Sequence, residues 1–364
     1  MIDRSFWRDR RVFLTGHTGF KGSWLAQWLL NMGAIVTGYS LDPPTRPSLF
    51  ETLGLADRMR SRIGDIRNRD RLRDEISSFE PEVVFHLAAQ PLVRESYQFP
   101  VETYETNVMG TVNLLDSLRQ CHSLRAAVIV TTDKCYENRE WIWGYREDEA
   151  MGGHDPYSSS KGCVELAVNS FRLSFFNVAP LGSSTGAAIG TARAGNVIGG
   201  GDWAKDRLIP DILTALHARK PVLIRNPYSV RPWQHVLEPL SGYLLLAQRL
   251  FEDGQPFAQA WNFGPNDSDA RTVEWIVEEM CRLWGDSAGF TIDADPQPHE
   301  ATYLKLDCSK ARQQLGWCPI WDLGTALQRV VEWTRAFQES ADMIALMNRQ
   351  IAEFEQVAIS MTAS

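Results

Sequence analysis

The sequence predicts an α/β protein: a doubly wound parallel Rossmann sheet with a smaller α/β substrate-binding domain interleaved in sequence. Three observations predict it. Short apolar runs rich in β-branched residues alternate with longer stretches that carry apolar residues three and four apart. A glycine-rich turn joins the first run to the first helical pattern. The regularity breaks after about residue 195 and returns near 235–265.

The first run, RVFLTG (11–16), leads through the turn into GSWLAQWLLNMG (22–33), a helix, and then AIVTGYS (34–40), a second strand. A third strand precedes GDIRN (64–68), followed by the helix NRDRLRDEISSF (68–79). VVFHLAA (83–89), TNVMGTVNLLDSLRQ (106–120), AAVIVTT (126–132), SSSKGCVELAVNSFRLSF (158–175) and AAIGTARAG (187–195) continue the alternation. The strands are nearly continuous in apolar residues, as strands buried on both faces should be. Beyond them, GGGDWAKDRLIPDILTAL (199–216), PVLIRNP (221–227) and RTVEWIVEEMCRLWG (271–285) mark the second region. The expected division is 1–190 for the dinucleotide-binding domain, with a returning segment near 235–265, and 191–364 mainly for a substrate-binding domain.

Composition excludes several classes. At 364 residues and 44% hydrophobic the chain can bury a large core. A net charge of −8 gives no global attraction to nucleic acid or anionic membrane, so a phosphate site must be local. No apolar run reaches the roughly 18 residues of a membrane span, and the charged start MIDRSFWRDRR is the wrong layout for a secretory signal. Six scattered cysteines without CxxC spacing suit free thiols in a reducing cytoplasm, and no metal site is expected. The final AISMTAS reads as a frayed tail.

The turn TGHTGFKG places Gly16, Gly19 and Gly22 three apart between strand and helix. Glycine there permits a tight turn, close approach of backbone to a pyrophosphate, and close helix packing, with the anion at the helix N-terminus. Lys21 adds a charge beside it. An acidic residue closing the second strand would bind the adenosine ribose, but Ser40 occupies that position, with Asp42 two residues on and Arg46 beyond. Asp42 suits the ribose of NAD; Ser40 with Arg46 suits a 2′-phosphate. NAD is the expectation and NADP the less favoured alternative. Asp65 and Ile66 follow the third strand as an adenine site, and the small Ala88 and Ala89 leave room for a cofactor at the end of the fourth.

DPYSSSKG places Tyr157 and Lys161 four apart on one helix face. An ammonium beside a phenol stabilises phenolate and lowers its pKa toward the range of a general base. Taken with TGxxGxxG, HLAAQ, Asn107 in TNVMGTVNLL, and ARAGNVIGGGDW, this pair makes the chain resemble the extended short-chain dehydrogenases/reductases that act on nucleotide sugars. The resemblance spans most of the chain in the family's order. It implies a nicotinamide dinucleotide held by Gly16, Thr18, Gly19, Phe20, Lys21, Gly22, Ser40, Asp42, Asp65, Ile66, Leu87, Ala88, Ala89, Asn107, Tyr157 and Lys161.

VTTDKCYEN then discriminates among reactions. An acid and a candidate base, Asp133 and Lys134, follow Thr132 directly, which is what a 4,6-dehydration requires and a 4-epimerisation does not. The stretch resembles nucleotide-sugar 4,6-dehydratases, and lysine at 134 with GHTGFKGSWL most resembles the branch that acts on CDP-glucose. The resemblance implies that Tyr157, Lys161 and Thr132 serve C4 oxidation, Asp133 protonates the departing 6-hydroxyl, and Lys134 either takes the C5 proton or orients Asp133. The product is a 4-keto-6-deoxy sugar nucleotide of the kind used for surface polysaccharides. The implied substrate contacts are Gln90, Arg193, Asn196, Arg231, His299 and Tyr303, with the glycine run 199–201 wrapping a phosphate. Arg193 as a buttress of the sheet is the plain alternative. The other readings are a 4-epimerase or dehydrogenase, a dehydratase of GDP-mannose or dTDP-glucose, and a non-catalytic nucleotide-binding scaffold. A homodimer or homotetramer through helices near 104–120 and 157–175 is expected.

Overall fold

The structure is a computed structural model that describes residues 2–176, 186–224, 226–285, 289–292 and 304–362. Its main sheet contains β1 (Arg11–Thr15), β2 (Ile35–Ser40), β3 (Arg60–Ile63), β4 (Val83–His86), β5 (Ala126–Val130), β6 (Ala188–Ala194) and, much later in the chain, Ala260–Phe263. The spatial order is β3-β2-β1-β4-β5-β6, with Ala260–Phe263 outside β6. All pairings are parallel. The strand C-termini therefore share one edge, and the order reverses beside β1. That reversal opens a crevice at the ends of β1 and β4, where a ligand fits an open parallel sheet.

The helix α1 (Phe20–Asn31) buries Trp24, Leu25, Trp28 and Leu29 completely. Each contributes roughly 1.5–3 kcal/mol relative to exposure, which fixes the glycine turn at its head. Helix α2 (Arg69–Phe79) is capped by Asn68, whose Oδ1 accepts from the Arg71 amide at 3.1 Å. Helix α3 (Gly110–Leu118) follows a single wide π-type turn, Glu105–Met109, that carries Asn107. Such turns re-aim one side chain at a functional site. Helix α4 (Pro156–Phe171) starts with Asp155 as cap, Oδ1 accepting from Ser158 N at 2.9 Å, and with proline at its first position. The cap sets the helical phase that turns both Tyr157 and Lys161 inward.

The smaller region has a three-stranded sheet of β7 (Asn196–Ile198), β9 (Val230–His235) and β11 (Ala270–Thr272), and a two-stranded pairing of β8 (Val222–Ile224) with β12 (Phe290–Ile292). Helices α5 (Leu208–His217), α7 (Val273–Trp284) and α8 (Leu323–Gln338) share its core around Ile212, Ile276, Met280 and Val330. Two segments return to the large sheet. Helix α6 (Leu237–Glu252) leads to strand β10 (Ala260–Phe263), and the C-terminal α9 (Met343–Thr362) packs on α1, Phe354 meeting Trp28 edge-on at 5.8 Å.

Candidate active site

The glycine turn is closed by contact at two of its three glycines, Gly16 and Gly22. Gly16 adopts φ +77°, and a Cβ there would lie 2.7 Å from the Ala88 amide nitrogen. A Cβ on Gly22 would lie 2.0 Å from the Gly16 carbonyl oxygen. Gly19 caps α1 without any side-chain hydrogen bond, so the first-turn amides carry no side-chain cap and face the crevice. These features fit a dinucleotide pyrophosphate. Thr15 and His86 set the floor: Ala88 N donates to Thr15 Oγ1 at 3.2 Å, and Thr15 Oγ1 meets His86 Nδ1 at 2.7 Å. His86 Nε2 meets Thr111 Oγ1 at 3.0 Å, and Thr111 donates onward to the Asn107 carbonyl at 2.6 Å. Burial pushes His86 down to about 3, so the ring is neutral. Sequence reading missed this chain because its members lie on three different elements.

At the ribose end, Ser40 is buried and its Oγ is 2.8 Å from Thr18 Oγ1, which donates to the Leu41 carbonyl. Asp42 and Arg46 are exposed. Asp65 is held below the usual carboxylate range by the Arg67 guanidinium at 2.6 Å and its amide at 2.8 Å, while Ile66 packs tightly on Gly110. Asn107 accepts from Gln90 N at 2.8 Å and donates to Gln90 O at 3.1 Å and to Ser160 Oγ at 2.9 Å. It thus fixes the loop that follows Ala89. The Gln90 side-chain amide donates to Leu92 O at 3.1 Å and to Thr103 Oγ1, on the helix Pro100–Tyr104, at 3.0 Å, which points it back into the fold rather than toward a substrate.

The reactive groups converge at the end of β5. Tyr157 and Thr132 face the same end of β5, where the Thr132 hydroxyl favours the phenolate, and Thr132 Oγ1 donates to Asp133 Oδ1 at 3.0 Å. Lys134 Nζ sits 3.5 Å from the same carboxylate oxygen, half-exposed beside a buried acid. Lys161 donates to the Val130 carbonyl at 3.3 Å, and burial pulls it down to about 8. Tyr157 is pushed up to about 12, by burial first, with the Thr132 hydrogen bond opposing and the Asp133 charge adding. Burial is the largest influence on the phenol in the ligand-free chain, and the cation that lowers it is Arg207. Lys21 is half-buried and pushed down to about 7 by burial, with Arg207, Lys161 and Lys134 repelling it and Asp133 opposing. Among the described residues its amine makes no hydrogen bond or ion pair. Arg207, unforeseen in the sequence, reaches the field of Lys21 and Tyr157 while paired with Asp202 at 3.0 Å.

The substrate side departs further from expectation. Arg193 is buried, with Nε and Nη2 each 2.9 Å from Glu165 and Nη1 2.6 Å from the Tyr136 hydroxyl and 3.0 Å from the Glu147 carbonyl. It buttresses the sheet, with four of its five N–H donors taken by these partners. In the run Gly199–Gly201, Cβ atoms would strike Val236 and Phe20, Trp333, and Leu49 respectively, so close packing alone requires glycine there. Asn196 has its Nδ2 buried and without a partner among the described residues. Half-buried Arg231 pairs in register with Arg271 on the neighbouring strand, making a local positive patch. His299 and Tyr303 lie outside the described residues. Among the described residues no cluster suits a metal, and no helix is long and apolar enough to cross a membrane.

A parallel sheet with a glycine turn at its switch point and a Thr–Tyr–Lys set facing it defines a nicotinamide-dinucleotide enzyme of the short-chain dehydrogenase/reductase kind. The model of one family, GDP-mannose 4,6 dehydratase, matches residues 13–330, and the chain belongs to that family. A CDP-glucose 4,6-dehydratase from Salmonella typhimurium is 60% identical over 97% of this chain and 98% of its own. Among solved structures, a UDP-glucose 4-epimerase from Thermotoga maritima with UDP-glucose superposes with a TM-score of 0.78, at 22% identity over 90% of this chain and 99% of its own. The dTDP-glucose 4,6-dehydratase DesIV from Streptomyces venezuelae, with NAD and TYD bound, gives 0.77, at 23% identity over 92% of this chain and 99% of its own.

Proposed function

We propose that the chain is an NAD-dependent lyase that converts CDP-D-glucose to CDP-4-keto-6-deoxy-D-glucose and water. The observation that carries this is the placement of a buried carboxylate, Asp133, 3.0 Å from the Thr132 hydroxyl and beside buried Tyr157, supported by the 60% identity to the Salmonella dehydratase. Tyr157 accepts the proton of the sugar 4-hydroxyl, with Thr132 hydrogen-bonded to the same oxygen. Bound NAD supplies a hydride acceptor for C4 and a hydride donor for C6. The 4-ketone acidifies C5; Lys134 takes that proton or orients Asp133, Asp133 donates a proton to the 6-hydroxyl, which leaves as water, and C5 regains a proton as C6 receives the hydride. A 4-epimerase has no use for this acid.

The uncapped α1 amides and Lys21 hold the cofactor pyrophosphate, and Asn196 with Arg231 and Arg271 meets the sugar diphosphate. Ser40 with exposed Asp42 serves the unphosphorylated ribose of NAD rather than NADP. Because the cycle returns its hydride, the cofactor stays bound through turnover. The protein works in the cytoplasm, supplying deoxy sugars for surface polysaccharides such as lipopolysaccharide O-antigen. It pairs with a second copy through the face that exposes Val101, Met109, Leu166 and Leu173. Incubation with CDP-glucose, followed by absorbance of the 4-keto product in alkali, tests the reading. Product from dTDP-glucose or GDP-mannose alone would keep the reaction and overturn the substrate.

A further inference from the structure

Lys161 sits in a buried site where an ammonium is disfavoured, yet its role requires the charge. The groups that face it are few. On its own helix, Tyr157 lies one turn before it and Glu165 one turn after. From β4 comes neutral His86, from the turn after β5 the Cys135 thiol, and from α1 the Lys21 amine. Only Glu165 brings a negative charge held in place by geometry. Its carboxylate accepts from Thr131 Oγ1, from Thr191 Oγ1 at 2.7 Å, and from two nitrogens of Arg193 at 2.9 Å each. Glu165 and Arg193 side chains are 5% and 3% exposed. The four residues tie the end of β5, the inner face of α4 and strand β6 into one block directly behind Thr132 and Lys161.

We propose that Glu165 is a positioning residue of the reaction: its fixed carboxylate keeps Lys161 protonated in the buried site, and its bond to Thr131 holds the strand end that carries Thr132 and Asp133. The inference rests on the catalytic role given above to Lys161. The lowering of Glu165 below the usual carboxylate range, where Arg193 and the two threonines overcome burial, agrees with a carboxylate that stays ionised. A purely structural ion pair would leave the titration of Lys161 unmoved.

The test reads Lys161 itself. The chain has seven lysines, so carbon-13 lysine labelling gives few side-chain resonances, with Lys161 assigned through Lys161→Arg. In Glu165→Gln the Lys161 titration midpoint should fall by about one pH unit or more, a roughly tenfold loss of ammonium at fixed pH. Glu165→Asp should recover most of the shift. Breaking one partner of a buried pair is destabilising, so Glu165→Gln with Arg193→Met, which leaves no unpaired charge, provides a second folded background and should show the same fall. An unchanged midpoint in either variant overturns the proposal. A wrong substrate would instead leave every midpoint as proposed and abolish only turnover of CDP-glucose.

Discussion

Gly195 and Asp133 face each other so closely that a Cβ on Gly195 would lie 2.7 Å from Asp133 Oδ2. The backbone of Gly195 is not in the left-handed region, so alanine there is conformationally allowed and the strain falls on the carboxylate. Gly195→Ala should leave thermal stability nearly unchanged and lower kcat by about 10–100-fold, because displacing a catalytic group by about 1 Å costs on that order. Steady-state kinetics beside a melting curve checks it.

The acid and the base are separable. Asp133→Asn should lower product formation by about 10²–10⁴-fold while still exchanging the C5 proton with deuterated solvent. Lys134→Met should lose that exchange if Lys134 takes the C5 proton, and keep it if Lys134 only orients Asp133 across their 3.5 Å contact. Proton NMR of the recovered sugar nucleotide distinguishes the outcomes.

Proton transfer at C4 needs Tyr157 deprotonated and Lys161 protonated together. Burial drives Tyr157 up to about 12 and Lys161 down to about 8. In the ligand-free chain the productive pair therefore grows as pH rises to about 8, holds level from 8 to 12, and declines above 12. Bound NAD places a positive ring in the crevice and should bring the Tyr157 midpoint down by about two units or more. Ultraviolet difference titration of the wild type against Tyr157→Phe, with and without NAD, reads this shift directly. Tyr157→Phe should also lower kcat by about 10²–10⁴-fold.

Arg193 belongs to the fold. Arg193→Ala leaves Glu165 buried without its partner and should cost about 3–5 kcal/mol of stability. Denaturant unfolding measures this, and any fraction that folds should bind CDP with nearly unchanged affinity.

The cofactor turn tolerates no side chain at Gly22, where a Cβ would lie 2.0 Å from the Gly16 carbonyl. Gly22→Ala should forfeit NAD binding, read by calorimetry and by the dinucleotide released on denaturation.

What the sequence made legible was local. Gly16–Gly22 and Tyr157/Lys161 each lie within one turn or one helix face, and Thr132–Asp133–Lys134 are consecutive, so spacing alone places their side chains together. The remainder depended on partners distant in the chain. Arg193 reads as a free cation until Glu165, 28 residues earlier, is seen to take both ends of its guanidinium. The glycines at 199–201 suggest a phosphate loop, and the sequence does not show the aromatic and aliphatic side chains from α1, α8 and the segment at Leu49 that pack against them and by themselves require glycine. Gln90 shows the same limit at short range, because its hydrogen bonds follow from the loop's curvature. The upward pull of burial on Tyr157 is likewise invisible in the sequence, because desolvation is set by the whole surrounding core.

The most direct test of the account is the fate of one label. CDP-glucose carrying deuterium at C4, turned over by the purified protein in ordinary water, should give CDP-4-keto-6-deoxyglucose with that deuterium in the C6 methyl group. A product that retains its 6-hydroxyl, or a methyl group without the label, would contradict it.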